Sequence, residues 1–386
     1  MKSKRWVFRD IDPTRRSALA QALSISSATA SLLLARGVTT LDEAAAWMTS
    51  GKRHDPFLIP DMDRAVDRLQ RATAEGERIC FYGDYDVDGM SATSIYFSFF
   101  QGLGANAGIY VPHRMREGYG LNEGAVQKLA DEGVRLLVTS DCGTTSHQEI
   151  ALANRLGLDV IVTDHHQTDD AVPPAVAVMN PHRRDAQYPF SGLCSGGLAY
   201  KVACAYEEKY GGGEVPADAM IDLVALSTVA DVAPLRDENR VFVREGLAQI
   251  SRGSRCGIRA LKQVAGVTKA CTAETIAFKL APRLNAAGRL DDATKGVRLL
   301  TTDSEIEAKQ LAEELEQLNR ARQRLEAGIM REAMEAAEAR DLPGAIVLAS
   351  RQWHVGVVGI VAARLVERFH RPAVVIAIDQ HGVGKG

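Results

Sequence analysis

Three short apolar runs in the chain each end on an acidic residue: RICFYGD, RLLVTSD and DVIVTD. Runs of this length, without polar alternation, suit strands buried on both faces, and such strands belong to parallel sheets covered by helices. Two further runs, Gly108 to Val111 and Val176 to Met179, join Arg78 to Tyr82, Arg135 to Thr139 and Asp159 to Thr163 as predicted strands. Helical patterns separate them, among them Asn122 to Glu132 and Ser146 to Leu156. The alternation predicts an α/β fold with a mainly parallel sheet. Such sheets bind ligands beyond the carboxyl ends of their strands, where these acidic groups fall.

At 386 residues the chain has room for two or three domains. Residues 1–50 read as a helical segment, with Thr39 or Thr40 placed to cap LDEAAAWM. Residues 51–302 hold the sheet and the acidic groups. Residues 303–341 form one long connecting helix, in which Leu311, Leu315, Leu318, Leu325 and Ile329 keep a 4-3 spacing with Arg322 in the same seam. Residues 342–386 read as a partial second α/β domain, with strands Ala345 to Ala349 and Ala373 to Ile378 around a helix near Val357 to Phe369. About 45 residues bury a poor core alone, so the chain is expected to be truncated within this domain.

The net charge of −3 does not announce a nucleic-acid partner, so phosphate binding has to come from local clusters. Six cysteines without a C-x-x-C pair suggest neither a structural zinc site nor a disulfide framework, and fit the reducing cytoplasm. The basic start followed by SALAQALSISSATASLLLARG loosely resembles a secretory signal, but its polar residues break any apolar core and favour a helical segment. With no apolar run of about 18 residues, no membrane span is expected.

The stretch GDYDVDG places Asp84, Asp86 and Asp88 at alternate positions, which in an extended segment face one side. Asp141 follows the third strand, Asp164, His165 and His166 follow the fourth, and Asp231 ends the run LVALSTVAD. Carboxylates crowded together repel, and divalent cations remove the conflict. Oxygen donors with one imidazole suit manganese or magnesium better than zinc. Two such ions roughly 3.5–4 Å apart are the usual clamp for phosphate-ester hydrolysis. Taken singly, Asp141 also suits a helix N-cap, DHH a surface turn, and Asp231 a cap or a partner for Arg236. The first motif mimics a calcium loop, but its twelfth position is Ile95 rather than Glu.

Together GDYDVDGMSAT, VTSDCGTT, TDHHQ and LSTVADVAPL resemble the four motifs of the DHH phosphoesterase superfamily. HDPFLIPDMDRAV, EGYGLN, APRLNAAGRL, LNRARQ and WHVGVVGIVAARL narrow the resemblance to its RecJ branch, from about residue 54 to 386. That resemblance implies hydrolysis of single-stranded DNA from the 5′ end, in DNA repair and recombination, with two Mn²⁺ or Mg²⁺ ions. It implies Asp84, Asp86, Asp88, Asp141, His165 and Asp231 as metal ligands, with Asp141 and one first-motif aspartate bridging, and His166 facing the phosphate. Among these, Asp141, His165 and His166 are the expected catalytic residues. Arg283, Asn285 and Arg289 are the expected phosphate-binding cluster, guanidinium forks being suited to phosphate, or else solvated side chains of a surface loop. His354, before glycines and a helix start, is a further phosphate contact. Arg114 and Tyr119 are expected to touch the strand, Tyr119 either stacking on a base or packing a turn.

The same resemblance implies single-stranded DNA as substrate, with single-strand binding protein and a helicase as partners; the oligomeric state is not readable. Relatives continue past GVGKG into a phosphate-binding segment and further domains, so weak DNA binding is expected of 1–386. Two alternatives stand beside this reading. One is another enzyme of the superfamily: a nano-RNase, a cyclic-dinucleotide phosphodiesterase or a pyrophosphatase. Asp84 speaks against it, since those enzymes usually begin the first motif with histidine. The other is a non-catalytic scaffold, which would have lost ligands that are all filled here.

Overall fold

The computed structural model describes residues 7–48, 51–169, 171–339 and 344–386. The expected α/β architecture is present, with five parallel strands: β1 (Ile79–Gly83), β2 (Ala107–Tyr110), β3 (Leu136–Ser140), β4 (Asp159–Thr163) and β5 (Ala177–Met179). They lie in the order β2-β1-β3-β4-β5. Side chains alternate between two cores even within these uniformly apolar strands. Ile79, Phe81, Leu136, Val138 and Ile161 enter the larger core; Cys80, Tyr82, Leu137, Val160 and Val162 enter a smaller one. The helices Met62–Ala74, Val87–Gly102, Ser195–Tyr210 and Ile221–Ala230 bury their apolar residues in the larger core, and Glu123–Asp131 and His147–Arg155 in the smaller. Helices on both faces are what an all-parallel sheet requires.

The N-terminal helices Pro13–Ala22, Ser27–Ala35 and Leu41–Met48 share a separate small core around Leu19, Ala30, Leu33 and Val38. Of the two expected caps it is the Thr40 hydroxyl that accepts from the Glu43 N–H (3.2 Å), while the Glu43 carboxylate accepts from the N–H of Thr39 and Thr40. Among the described residues no single helix is long and apolar enough to cross a membrane.

The long helix runs Glu305–Glu338, and its seam departs from the expected one. Ala308, Leu311, Ala312 and Leu315 join the larger core, and Ile329, Ala333 and Ala337 join the core of the C-terminal unit. Between them Leu325 is exposed while Asn319 and Glu326 are buried. The helix changes partners there, and a helix of 3.6 residues per turn drifts away from a strict seven-residue repeat. Buried polar groups at the crossing satisfy one another: Arg322 donates to Glu326 (2.5 Å) and Asn319 (2.7 Å), and Arg364 pairs with the other Glu326 oxygen (2.5 Å). The C-terminal unit pairs β6 (Ile346–Ser350) in parallel with β7 (Ala373–Ile378), packs the helix Val355–Phe369 between them in sequence, and adds an unexpected antiparallel β8 (Gly384–Lys385).

Candidate metal centre

The sheet carries its hydrogen-bond ladder one residue past three strand ends. The N–H of Asp84 donates to Ser140 (3.2 Å), that of Asp141 to Thr163 (3.0 Å) and that of Asp164 to Met179 (3.2 Å). Because Gly83, Ser140 and Thr163 are in register, the three aspartates form a row along one edge. Asp141 sits at φ 66°, a left-handed conformation uncommon outside glycine and typical of functional sites.

The first motif is not extended, which corrects the expectation drawn from its alternation. Asp86 is the N-cap of the helix Val87–Gly102, its Oδ1 accepting from the N–H of Asp88 (2.9 Å) and Gly89 (3.1 Å), and Asp88 lies in the first turn. A cap turns the chain by itself, so Asp84, Asp86 and Asp88 point into one space from three backbone geometries. Asp88 is 1% exposed and is cradled by the start of the Ser195–Tyr210 helix. It accepts from the N–H of Ser195 (2.8 Å) and Gly196 (3.0 Å) and from the Ser227 hydroxyl, while the Ser195 hydroxyl donates to Asp141 (3.1 Å). Ser195 and Ser227 escaped the sequence reading because they act from more than a hundred residues away.

His165 reaches into this group with Nε2, 3.1 Å from Asp141, 3.4 Å from Asp88 and 3.9 Å from Asp231, which sits at the C-cap of the Ile221–Ala230 helix. Its neighbour His166 turns the other way. Its Nδ1 lies 2.8 Å from Asp164, and the Tyr119 hydroxyl, which donates to the Asp141 carbonyl, lies 3.3 Å from the same nitrogen. Nε2 is thus the nitrogen left to His166 for a ligand. Asp164, which was not among the expected site residues, is the group that fixes this ring. It was visible in the sequence as the third strand-end aspartate.

Electrostatics divide these carboxylates into two groups. Burial, then the Asp86 charge, pushes Asp84 up to about 8. Burial, then the Asp88 charge, raises Asp86, and takes Asp231 up to about 6. Burial and the charges of Asp88, Asp86 and Asp84 hold Asp141 well above the carboxylate range. Burial works the same way on Asp164, but His166 and the N–H of Thr144 outweigh it and keep that carboxyl low. Asp84 Oδ1 is buried with no hydrogen-bond partner. Donor atoms gather within 4.8 Å of one another in three overlapping sets: Asp84, Asp86 and Asp141; Asp88, His165 and Asp231; Asp141, His165 and His166. An oxygen-rich, self-repelling set with an orphan oxygen and one shared imidazole fits hard divalent cations, whose charge removes the repulsion.

A cleft of about 360 Å³ opens beside the row, lined by Asp84, Asp86, Arg114, Tyr119, Asn285 and Arg289. Arg114 lies 4.8 Å over the Tyr85 ring, and Tyr85 meets Tyr119 edge-on at 6.3 Å. Asn285 and Arg289 come from the helix Ala281–Leu290, so this motif is not a loop. The Asn285 carbonyl accepts from the Val87 N–H (3.1 Å), which leaves its NH₂ as the donor end. A Cβ at Gly288 would strike the Tyr85 carbonyl, which is how closely this helix approaches the first motif. Arg289 donates to the Gly356 carbonyl (3.0 Å), and His354, the N-cap of the C-terminal helix, accepts from the Gly356 N–H (3.1 Å). Arg283 is not brought here. It points to the long helix, 2.7 Å from Glu316 without hydrogen-bond alignment, and donates to Lys279.

Residues 78–228 match the family model for the DHH family, N-terminal domain. Over 387 aligned residues the chain is 40% identical to the single-stranded-DNA-specific exonuclease RecJ of Bacillus subtilis, covering 99% of this chain and 48% of that one. The chain therefore spans about half the length of this curated relative. Among solved structures, RecJ of Thermus thermophilus in complex with Mn²⁺ superposes with a TM-score of 0.83 at 34% identity, over 96% of this chain and 53% of that one. An exonuclease RecJ bound to manganese gives 0.76 at 38% identity, over 83% and 80%.

Proposed function

The chain belongs to the RecJ group of the DHH family, and on that premise we propose that it hydrolyses phosphodiester bonds of single-stranded DNA from the 5′ end with two divalent cations, Mn²⁺ or Mg²⁺. The observation that carries the reading is the convergence of Asp84, Asp86, Asp88, Asp141, His165 and Asp231, from four separate segments, beside a cleft that also presents Arg114 and Arg289. Those six residues would hold the cations, with Asp141 shared between two of the donor sets. When bound, such cations acidify water and stabilise charge developing on phosphate oxygens.

The remaining roles fall to the chain's own groups. Arg114, Arg289 and the Asn285 amide orient the phosphate backbone in the cleft. The hydrogen bond that Asp164 accepts from His166 raises the His166 pKa above its ordinary 6.5, against the effect of burial. With Nδ1 engaged by Asp164, the imidazolium form of His166 would donate from Nε2 to a non-bridging phosphate oxygen. Tyr119, 54% exposed on the cleft wall, offers a ring for stacking against a base. His354 stands beside Arg289 at the docked C-terminal helix and adds a contact farther along the strand. A helicase that opens a duplex and a single-strand binding protein that coats the product are the partners such an activity calls for.

Digestion of end-labelled single- and double-stranded DNA with each cation, at stated salt, tests the proposal. Loss of the 5′ label as mononucleotide from single strands only, abolished in Asp141→Ala, is the expected result. Preferential cleavage of dinucleotides would move the chain to another branch of the superfamily, and an unchanged rate in Asp141→Ala would remove the catalytic assignment.

A further inference from the structure

The helix that delivers Asp231 ends in an uncommon way. The N–H of Ala233 donates to Thr228 (3.1 Å) and the N–H of Val232 to Val229 (3.3 Å), the paired bonds of a Schellman motif. The residue after the cap in this motif adopts a left-handed conformation and is normally glycine; the helix Asp237–Arg252 likewise ends on a left-handed glycine, Gly253 (φ 73°). Here it is Val232, at φ 58°. Six described non-glycine residues have positive φ: Ser24, Asp61, Asp141, Val232, Asp237 and His370. Val232 alone among them is β-branched, the side-chain type for which this conformation is most strained.

Packing does not compensate. Val232 is 87% exposed, so its side chain gains almost no burial from the position. Glycine or asparagine there would relieve strain and uncover one apolar residue fewer. A local rule broken without a gain to the fold marks a position held for something outside it. The neighbourhood says what. Consecutive Cα atoms lie ~3.8 Å apart, Asp231 faces His165 in the candidate metal centre, and Ala230 lines the same cleft as Asp84, Arg114 and Arg289.

We propose that Val232 is a substrate contact: an apolar rest for the nucleoside next to the phosphate at the candidate metal centre. This rests on the nuclease reading above. The backbone at φ 58° sets the direction of the side chain, and its lack of polar atoms makes the contact indifferent to base identity.

The test compares Val232→Asn with Val232→Met. Both remove the β-branch, and asparagine also tolerates the left-handed backbone, so both variants are expected to melt at or above the parental temperature. Only V232N loses the apolar contact. Its KM for a labelled single-stranded oligonucleotide rises roughly three- to ten-fold, up to the worth of one buried valine side chain, while the KM of V232M stays near the parental value. The slope of log KM against log salt is the same in all three, because no phosphate contact is removed. A parent chain that cuts no single-stranded DNA overturns the nuclease reading, and this proposal with it. A parent that cuts, with V232N and V232M alike in KM, overturns this proposal alone.

Discussion

Replacing Asp164 by asparagine isolates what one carboxylate does for His166 at nearly constant shape. In the native chain Oδ1 accepts from the N–H of His165 (2.8 Å) and His166 (3.1 Å) and faces Nδ1 of His166 (2.8 Å), while Oδ2 accepts from the Thr144 N–H (3.1 Å). An amide offers oxygen on one side only. If it serves the histidines, its NH₂ meets the Thr144 N–H donor to donor at a position 2% exposed. One lost charge-assisted bond and one stranded N–H cost about 2–3 kcal/mol. The pH dependence follows from the two shifts. His166 is raised above 6.5, so its share of the stabilisation is complete below that value and fades as pH rises through the folded pKa. Asp164 is held below 3.8, so its share is present above that value and is lost only in stronger acid. The ion-pair part of the difference between parent and Asp164→Asn is therefore largest between these limits, and the hydrogen-bond part alone remains at alkaline pH. Urea unfolding at about pH 5 and about pH 9 should give the larger difference at the lower pH. Initial rates should show the alkaline limb of the variant displaced to lower pH, since its His166 surrenders the proton sooner. A difference in stability that is constant across this range, with the alkaline limb unmoved, would refute the coupling.

Protons held by Asp84 (about 8) and Asp231 (about 6) must leave when cations enter, so Mn²⁺ affinity should fall as pH falls. Calorimetric titration in buffers of different ionisation enthalpy should show proton release, and a buffer-independent enthalpy would contradict it. Arg289→Met should raise KM and reduce the salt slope by about one, whereas Arg283→Met should leave KM alone and cost about 1 kcal/mol, because Glu316 loses one of its two arginines and keeps Arg320; equal kinetic effects would restore Arg283 to the substrate cluster. Asp61, whose pKa burial opposes but the Val178 N–H and Arg183 lower below 3.8, stabilises the fold above that value and ceases to as pH falls through its folded pKa. Asp61→Asn, which suits the left-handed backbone there (φ 59°), should therefore be less stable than the parent at neutral pH and converge with it in acid, as thermal melting against pH would show.

What the sequence made legible, and what it hid, divides by the range of the interactions. The five strands were readable because each is a local apolar run, and their ends moved by at most a residue. The candidate metal-centre residues were readable because Asp84 and Asp141 close such runs, Asp86, Asp88 and His165 follow within a few residues of one, and Asp231 ends an apolar helix. Errors arose where a local period was assigned to the wrong element. Arg283, Asn285 and Arg289 look like one cluster in a loop, but at about 100° per residue of helix Asn285 and Arg289 share a face while Arg283 lies across from them, which is where Glu316 takes it. The same turn of reasoning applies to Leu325, whose place in a 4-3 seam fails where the long helix leaves one core for another and buries Glu326 instead. The Asp88 cradle could not be read at any period. Its donors, Ser195 and Ser227, lie 107 and 139 residues away, and nothing in CSGG or LSTVA is shaped by the partner they serve. Chemistry carried by strand ends is thus visible in one dimension, whereas the donors that satisfy a buried carboxylate become visible only when the sheet brings distant helix starts to its edge.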